Sequence, residues 1–157
     1  MCETLIIGIG NPIRGDDALG WASVEALNAH DLPPYTRTLC VQQLTMDLVE
    51  EVAAAQRVFF IDARAAEPPG ALHVEHITPD TCLETHLTHF FDPRTLLAAV
   101  QALYGHHPPA TLFSINTTAF AYGAPISPPV QRALPELLCR VRHALRSKTP
   151  QEAQSGH

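Results

Sequence analysis

Cysteine is scarce in this sequence, and no cysteine lies close to another. The four are Cys2, Cys40, Cys82 and Cys139, and no two of them have the C-x-x-C spacing of zinc sites and redox motifs. A disulfide framework or a four-thiolate zinc site is therefore not expected. Scattered thiols of this kind are typical of a reducing compartment, and we expect a cytoplasmic protein.

Long apolar runs and positive charge are also scarce. No apolar stretch approaches the roughly 20 residues that a membrane-spanning helix requires. Residues 1–10 lack the basic segment and cleavage site of a secretory signal. With 10 Lys and Arg against 16 Asp and Glu, the net charge is −6. These features predict no membrane partner, and the acidic balance argues against a nucleic-acid partner.

The length and composition are those of a single globular domain. The chain has 157 residues, of which 46% are hydrophobic, enough for one self-sufficient core. Residues 148–157 are polar, with almost no apolar side chains to bury. We predict a single α/β domain over residues 1–147 and a flexible C-terminal tail over residues 148–157.

Apolar segments of strand and helix type alternate along the chain. The predicted strands are Thr4–Ile9, Thr38–Gln42, Arg57–Asp62, Ala71–Thr78 and Thr111–Ile115, and the predicted helices are Asp17–Asn28, Met46–Ala55, Pro93 to about Gly105, and Ser127 to about Arg146. This order predicts a three-layer α/β/α fold with a twisted, mostly parallel sheet of roughly five strands. The fourth strand alternates in polarity, which indicates an antiparallel edge strand. Thr81–Phe91 is predicted to be a loop, and Pro135 to kink or restart the last helix.

The loop between the first strand and the first helix is rich in glycine, which raises the possibility of a nucleotide site. Three details oppose it. Ile13 stands where a dinucleotide-binding loop needs its third glycine, and Pro12 lacks a backbone N–H for phosphate. Asp16 and Asp17 would repel a pyrophosphate at the start of the helix. No P-loop, G-x-S-x-G elbow or H-E-x-x-H helix is present either, so we predict no nucleotide cofactor.

Two acidic positions follow strands that are predicted to be neighbours. Asp16 and Asp17 follow the first strand, and Asp62 ends the strand RVFFID. Their ordinary roles would be helix capping and turn formation, and a cap is worth about 0.5–2 kcal/mol. One aspartate suffices as a cap, and Asp16 is the natural choice. Asp17 and Asp62 should then meet at the carboxyl edge of the sheet, where they repel each other unless a cation or a shared proton intervenes.

A third ligand for a metal at this edge would most naturally be a histidine. Of the nine in the sequence, His86 and His89 lie in the predicted loop that could return to the edge. His73 and His76 have odd spacing on a strand and should point to opposite faces. Local chemistry does not separate His86 from His89, and a plain surface role is the ordinary alternative for both.

Several segments, in the same order along nearly the whole chain, resemble the hydrogenase maturation endopeptidases. The strongest is GIGNPIRGDDALG at Gly8–Gly20, followed by FFIDA at Phe59–Ala63. His89 followed by the helix segment Leu96–Val100, and Ile126–Pro128 at the start of the last helix, also fit. The combination is specific, although no single segment would suffice.

The resemblance implies a site that recognises a metal through Asp17, Asp62 and His89. It implies an endopeptidase that removes the C-terminal extension of a nickel-loaded [NiFe] hydrogenase large-subunit precursor. Nickel would arrive with that substrate, although another divalent cation is possible. Asp17 or Asp62 would act as the catalytic base, and Asp16 would support them by capping or hydrogen bonding. We expect a monomer whose partner is the precursor.

One segment departs from the family pattern. Many members have a G-G-T sequence after the second strand, where this chain has Gln42–Thr45 (QQLT), a form that resembles the branch serving soluble, bidirectional hydrogenases. This departure keeps open a second class of function. The alternative is a non-proteolytic maturation checkpoint, or a nickel-binding chaperone, on the same fold.

Overall fold

A computed structural model describes residues 3–80 and 91–147. Its elements are β1 (Thr4–Ile9), α1 (Leu19–Asn28), β2 (Thr36–Val41), α2 (Val49–Ala54), β3 (Arg57–Ala65), β4 (Leu72–Ile77), α3 (Pro93–Tyr104), β5 (Ala110–Thr117) and α4 (Pro128–Arg146). Short 3-10 turns precede α1 at Gly15–Ala18 and α2 at Met46–Leu48. Within the described ranges, no helix is long and apolar enough to cross a membrane.

The strands form a single sheet in the order β2-β1-β3-β5-β4. Strands β2, β1, β3 and β5 run parallel to one another, and β4 pairs antiparallel with β5 at one edge of the sheet. All six residues of β1 are buried, as expected for a central parallel strand covered on both faces. The predicted α/β fold with one antiparallel edge strand is thus confirmed.

Each face of the sheet carries its own apolar core. One core joins Ile7 and Phe60 to residues of α2 and α3, and the other joins Phe59 to residues of α1 and α4. Successive residues of a strand point to opposite faces, so neighbouring phenylalanines in β3 serve different cores. The helices therefore cover both faces, and only the ends of the strands are left to form a site.

Two glycines let α1 pack unusually close to the sheet. A Cβ atom on Gly8 would lie 2.3 Å from the carbonyl oxygen of Gly20. A Cβ atom on Gly20 would lie 2.5 Å from the amide nitrogen of Ile9 and 2.7 Å from the carbonyl oxygen of Ile61. Backbone therefore meets backbone here. This contact brings the turn before α1 against the carboxyl ends of β1 and β3.

The last helix runs without interruption through Pro135. The helix is therefore not restarted at Pro135, a kink there stays a prediction, and the burial pattern explains why the helix continues. Val130 lies before the proline and Leu137, Val141 and Leu145 after it, and all four are buried in the same core. Their burial, about 1.5–3 kcal/mol for each side chain, outweighs the roughly 3 kcal/mol that a proline costs inside a helix.

Arg57 closes the C-terminal end of α4, a role that the sequence did not suggest. Its Nε donates to Thr4 Oγ1 at 2.7 Å. Its two terminal nitrogens donate to the carbonyl oxygens of Ala144, Ser147 and Leu145, each at 3.0 Å. The Ala144 carbonyl also accepts the Ser147 amide at 3.2 Å, and carbonyl oxygens at the end of a helix form its negative pole. A buried cation thus fastens α4 to the start of the sheet.

Most of the predicted helices and strands are present, with shifted ends. The first helix was expected from Asp17 but begins at Leu19, after the 3-10 turn. Asp92 caps α3 as predicted and accepts a hydrogen bond of 2.8 Å from the Thr95 amide. The predicted loop Thr81–Phe91 lies outside the described residues except for Phe91, which bridges to Leu44. The predicted tail, residues 148–157, also lies outside them.

Candidate functional site

The first acidic residue of the candidate site, Asp17, lies in the 3-10 turn after β1. The amide of Asn11 donates to its Oδ2 at 2.8 Å. Gly10 has a positive φ of 138°, and a Cβ atom there would lie 1.9 Å from the carbonyl oxygen of Asp17. The glycine therefore lets the turn fold back onto the end of β1. Asp17 is held at the carboxyl edge by the path of its own loop.

The second acidic residue, Asp62, comes from the adjacent strand. Gly8 of β1 pairs with Ile61 of β3, so Asp62 lies beside the end of β1. Burial and, to a smaller extent, the negative charge of Asp17 raise the pKa of Asp62 from 3.8 to about 7, and the backbone N–H of Ala63 opposes this shift. The structure therefore brings Asp17 and Asp62 within electrostatic reach, and Asp62 can exchange a proton near neutral pH.

Asp16, which was expected to cap the first helix, does something different. It is fully buried and caps neither the 3-10 turn nor α1. One oxygen, Oδ1, accepts the Ser127 amide at 2.6 Å. The other, Oδ2, accepts the Ser127 hydroxyl at 2.6 Å and the Thr117 hydroxyl. The capping prediction is therefore wrong, because the helix starts later and the carboxylate turns inward to join the site loop to the chain after β5.

The third predicted ligand, His89, lies outside the described residues, as does the alternative, His86. Within residues 3–80 and 91–147, no three His, Cys, Asp or Glu side chains lie close enough together to hold a metal ion. The described residues just before and just after residues 81–90 are held by contacts to other parts of the chain. The Asp80 amide donates to the Arg94 carbonyl at 3.1 Å, and Phe91 bridges to Leu44, which follows β2. Ligation by either histidine stays a prediction.

The side chain of His73 lies on the same face of the sheet as that of Asp62. Asp62 pairs with Ser114 of β5, and Ser114 pairs with His73 of β4. Side chains of paired residues lie on one face, so the three form a row across three strands. The Nε2 atom of His73 is buried without a hydrogen-bond partner. Sequence reasoning missed this row because it depends on a strand order that only the folded chain defines.

One surface groove of the described residues lies away from the acidic pair. A groove of about 580 Å³ lies between β4 and α4, and Leu72, Val74 and Arg132 are among its lining residues. Neither Asp17 nor Asp62 lines it. The raised pKa of Asp62 has a defined physical cause at the carboxyl edge of a parallel sheet, where α/β proteins bind ligands. We therefore locate the candidate site at the acidic pair.

Comparison with known proteins gives a consistent result at the level of structure. No protein-family profile matches the chain, and no curated protein matches it by sequence. Among solved structures, it is similar to the hydrogenase maturating endopeptidase HybD from E. coli, with 25% identity, a TM-score of 0.75 and 92% of each chain covered.

Two archaeal structures extend this similarity. The [NiFe] hydrogenase maturation protease HycI from Thermococcus kodakarensis has 23% identity and a TM-score of 0.72, over 92% of this chain and 93% of that one. The hydrogenase 2 maturation peptidase from a Thaumarchaeota archaeon has 21% identity and a TM-score of 0.70, over 93% and 99%. At these identities the two support the fold. The similarity to HybD over nearly the whole chain, with the acidic pair at the carboxyl edge of the sheet, supports the assignment of this chain to the hydrogenase maturation endopeptidases.

Proposed function

We propose that this protein is an endopeptidase that removes the C-terminal extension of a nickel-loaded [NiFe] hydrogenase large-subunit precursor. The observation that carries the proposal is the coupled pair Asp17 and Asp62, in a fold similar to HybD. Sequence resemblance and structural similarity agree on the peptidase family. The involvement of nickel is the part that the proposal adds.

The chemistry assigned to Asp62 is proton transfer. Hydrolysis of a peptide bond needs a base that takes a proton from the attacking water and an acid that gives one to the leaving amine. A carboxyl group with a pKa of about 7 can do both at neutral pH, because both of its forms are well populated there. Asp17, held by the Asn11 amide, contributes the negative charge that keeps this pKa high.

Nickel would arrive as part of the substrate and would not be a resident cofactor of this protein. Carboxylate oxygens and an imidazole are donors that suit divalent nickel, and three of them leave coordination positions open. Asp17 and Asp62 would supply the oxygens, and His89 the imidazole, with His86 as the alternative. A cation between the two carboxylates would relieve the repulsion that raises the pKa of Asp62. Cleavage would then depend on metal insertion in the precursor.

The non-proteolytic alternative is not favoured. The similar structures of E. coli and T. kodakarensis are named as endopeptidases and proteases. The alternative predicts that the precursor binds and keeps its C-terminal extension.

The test is to mix the purified protein with nickel-loaded and with nickel-free precursor and to follow precursor mass. We expect cleavage of the nickel-loaded form only. Asp62→Asn should lower the rate by at least about 100-fold, whereas Asp31→Asn, which alters an exposed acid after α1, should leave it unchanged. An intact nickel-loaded precursor with wild-type protein would refute the proposal.

The same assay decides between the two histidines. His89→Ala should abolish cleavage and His86→Ala should not. The reverse result would assign the imidazole to His86, and full activity in both variants would remove histidine from the site. Circular dichroism of each variant shows whether a loss of activity reflects a loss of fold.

A further inference from the structure

Two loops meet beside Asp17 and form a ridge that the proposed chemistry does not use. The amide of Gly123 donates to the Ile13 carbonyl at 2.7 Å, and Arg14 forms an isolated bridge with Tyr122. The Asp17 amide donates to the carbonyl oxygen of Arg14 at 3.0 Å, so the ridge and the acidic pair share one turn. We call Ile13, Arg14, Phe120 and Tyr122 the lip.

The lip is held in place from beneath. Asp16, a buried residue of the first loop, accepts hydrogen bonds from Ser127 and Thr117. Its amide donates to the Ala119 carbonyl at 2.9 Å. Both loops are therefore anchored to a common buried carboxylate. A surface held in this way loses little conformational freedom when a partner binds, which favours recognition.

The lip exposes apolar side chains that folding alone does not explain. Ile13 is 64% exposed and Tyr122 is 70% exposed, although both belong to residue types that favour burial. Tyrosine combines a large apolar face with a polar end and loses few rotamers on binding, which makes it common at protein interfaces. Here these side chains lie next to the residues proposed to cleave a peptide.

Arg14 gives the lip a charge and a preferred ligand. Its guanidinium carbon lies 5.4 Å from the ring centre of Phe120 and 5.7 Å from that of Tyr122. Such contacts hold the planar group on the rings and leave its N–H edge to bind a ligand. In the part of the chain that the structure describes, Arg14 forms no ion pair. An arginine positioned in this way suits bidentate binding of a carboxylate.

We propose that the lip is the docking surface for an extended segment of the substrate that carries a carboxylate side chain flanked by apolar residues. The inference rests on the proposed function and adds a specificity determinant to it. The carboxylate binds Arg14, and the apolar neighbours cover Ile13 and Tyr122. Asp17 and Asp62 repel an acidic side chain from the cleavage point itself, so the charge complementarity sets the register of the segment.

The experiment measures KM and kcat for nickel-loaded precursor with wild type and lip variants. Arg14→Gln should raise KM by about tenfold with little change in kcat, because the lost charge-assisted contact binds the substrate but takes no part in breaking the bond. Ile13→Ser and Tyr122→Ser should act in the same direction. Arg14→Glu should be worse than Arg14→Gln. Each acidic residue of the precursor is changed to Lys in turn. The change at the residue that binds Arg14 should restore binding to the Arg14→Glu variant.

The chain offers matched controls away from the lip. Arg132→Gln removes an exposed arginine of α4, and Leu103→Ser alters a residue that is also 64% exposed, near the end of α3. Tyr35→Ser alters a tyrosine that is 63% exposed and lies before β2. All three should keep the wild-type KM. Thermal unfolding of each variant shows that the fold is intact.

Each outcome bears on one proposal or the other. Cleavage with an unchanged KM in Arg14→Gln, or an equal rise in KM in Arg132→Gln, would overturn the lip and leave the proposed function standing. No cleavage by wild type would overturn the proposed function. In that case calorimetric titration of the same precursor tests the lip. The lip predicts that the precursor binds Arg14→Gln about tenfold more weakly than it binds wild type. Equal binding to both proteins, or no binding to wild type, would overturn the lip.

Discussion

The raised pKa of Asp62 gives this residue a contribution to stability that falls as pH rises through the mildly acidic range. The usual value is 3.8, and the folded value is about 7. Between these values Asp62 holds a proton in the folded chain that it has lost in the unfolded chain. The contribution of Asp62 to the free energy of unfolding therefore decreases from about pH 4 to about pH 7 and levels off above the folded pKa. Most carboxylates in folded proteins act in the opposite direction.

The magnitude follows from the size of the shift. The interval from 3.8 to about 7 is about 3 pH units, and about 1.4 kcal/mol per unit gives an upper value of about 4 kcal/mol. Asp62 is half-buried, so water reduces the effect, and we expect about 2–4 kcal/mol. This is a large fraction of the 5–15 kcal/mol that typically stabilises a domain.

The perturbation is Asp62→Asn, which replaces the neutral acid by a neutral amide of similar shape. At pH 4.5 the variant should be more stable than the wild type by no more than about 1 kcal/mol. At pH 8.5 the variant should be more stable by about 2–4 kcal/mol. Urea unfolding at both pH values measures this, with the m-value as a check that the unfolded state is unchanged. All other ionisable groups are the same in the two proteins, so their contributions cancel in the difference.

Two further variants identify the cause of the shift. Asp17→Asn removes only the charge of Asp17, which is the smaller of the two effects that raise the pKa of Asp62. The pH dependence of the free energy of unfolding should therefore become smaller but should not disappear. Asp31→Asn should leave it unchanged. The reasoning fails if Asp62→Asn has the same stability difference from wild type at pH 4.5 and pH 8.5, since Asp62 would then not hold a proton in the folded state.

Three other predictions concern the parts that position the site. Asp16→Ala should lower the free energy of unfolding by about 3–5 kcal/mol in urea, because it leaves Ser127 and other buried donors without a partner; a loss below about 1 kcal/mol would contradict this. Gly20→Ala should prevent stable folding or displace α1, since its Cβ atom would lie 2.7 Å from the Ile61 carbonyl oxygen, and an unchanged thermal midpoint would refute the close contact. Arg57→Met should cost about 3–5 kcal/mol by leaving the end of α4 uncapped, with amide exchange fastest in its last turn; uniform exchange along the helix would contradict the capping role.

Hydrophobic pattern is a local property, and it determined much of the fold. Strand β1 was predicted with its observed ends, Thr4–Ile9, because a run of buried apolar residues ends at a turn signal. The N-cap at Asp92 was readable because capping acts within three residues. The ends of α1 and β3 were missed by two or three residues, since tertiary packing, not local preference, decides where a helix or strand ends.

The candidate site divides in the same way. The sequence by itself predicted Asp17 after the first strand and Asp62 at the end of the third, although β3 continues for three residues beyond Asp62. The family resemblance added His89, which lies outside the described residues. The tertiary structure decided that the negative charge of Asp17 acts on Asp62, because strand order sets which loops meet. It also decided that Asp16 binds Ser127, 111 residues away, in place of capping a helix. A side chain whose partners are distant in sequence has no local signature, and its role appears only once the chain is folded.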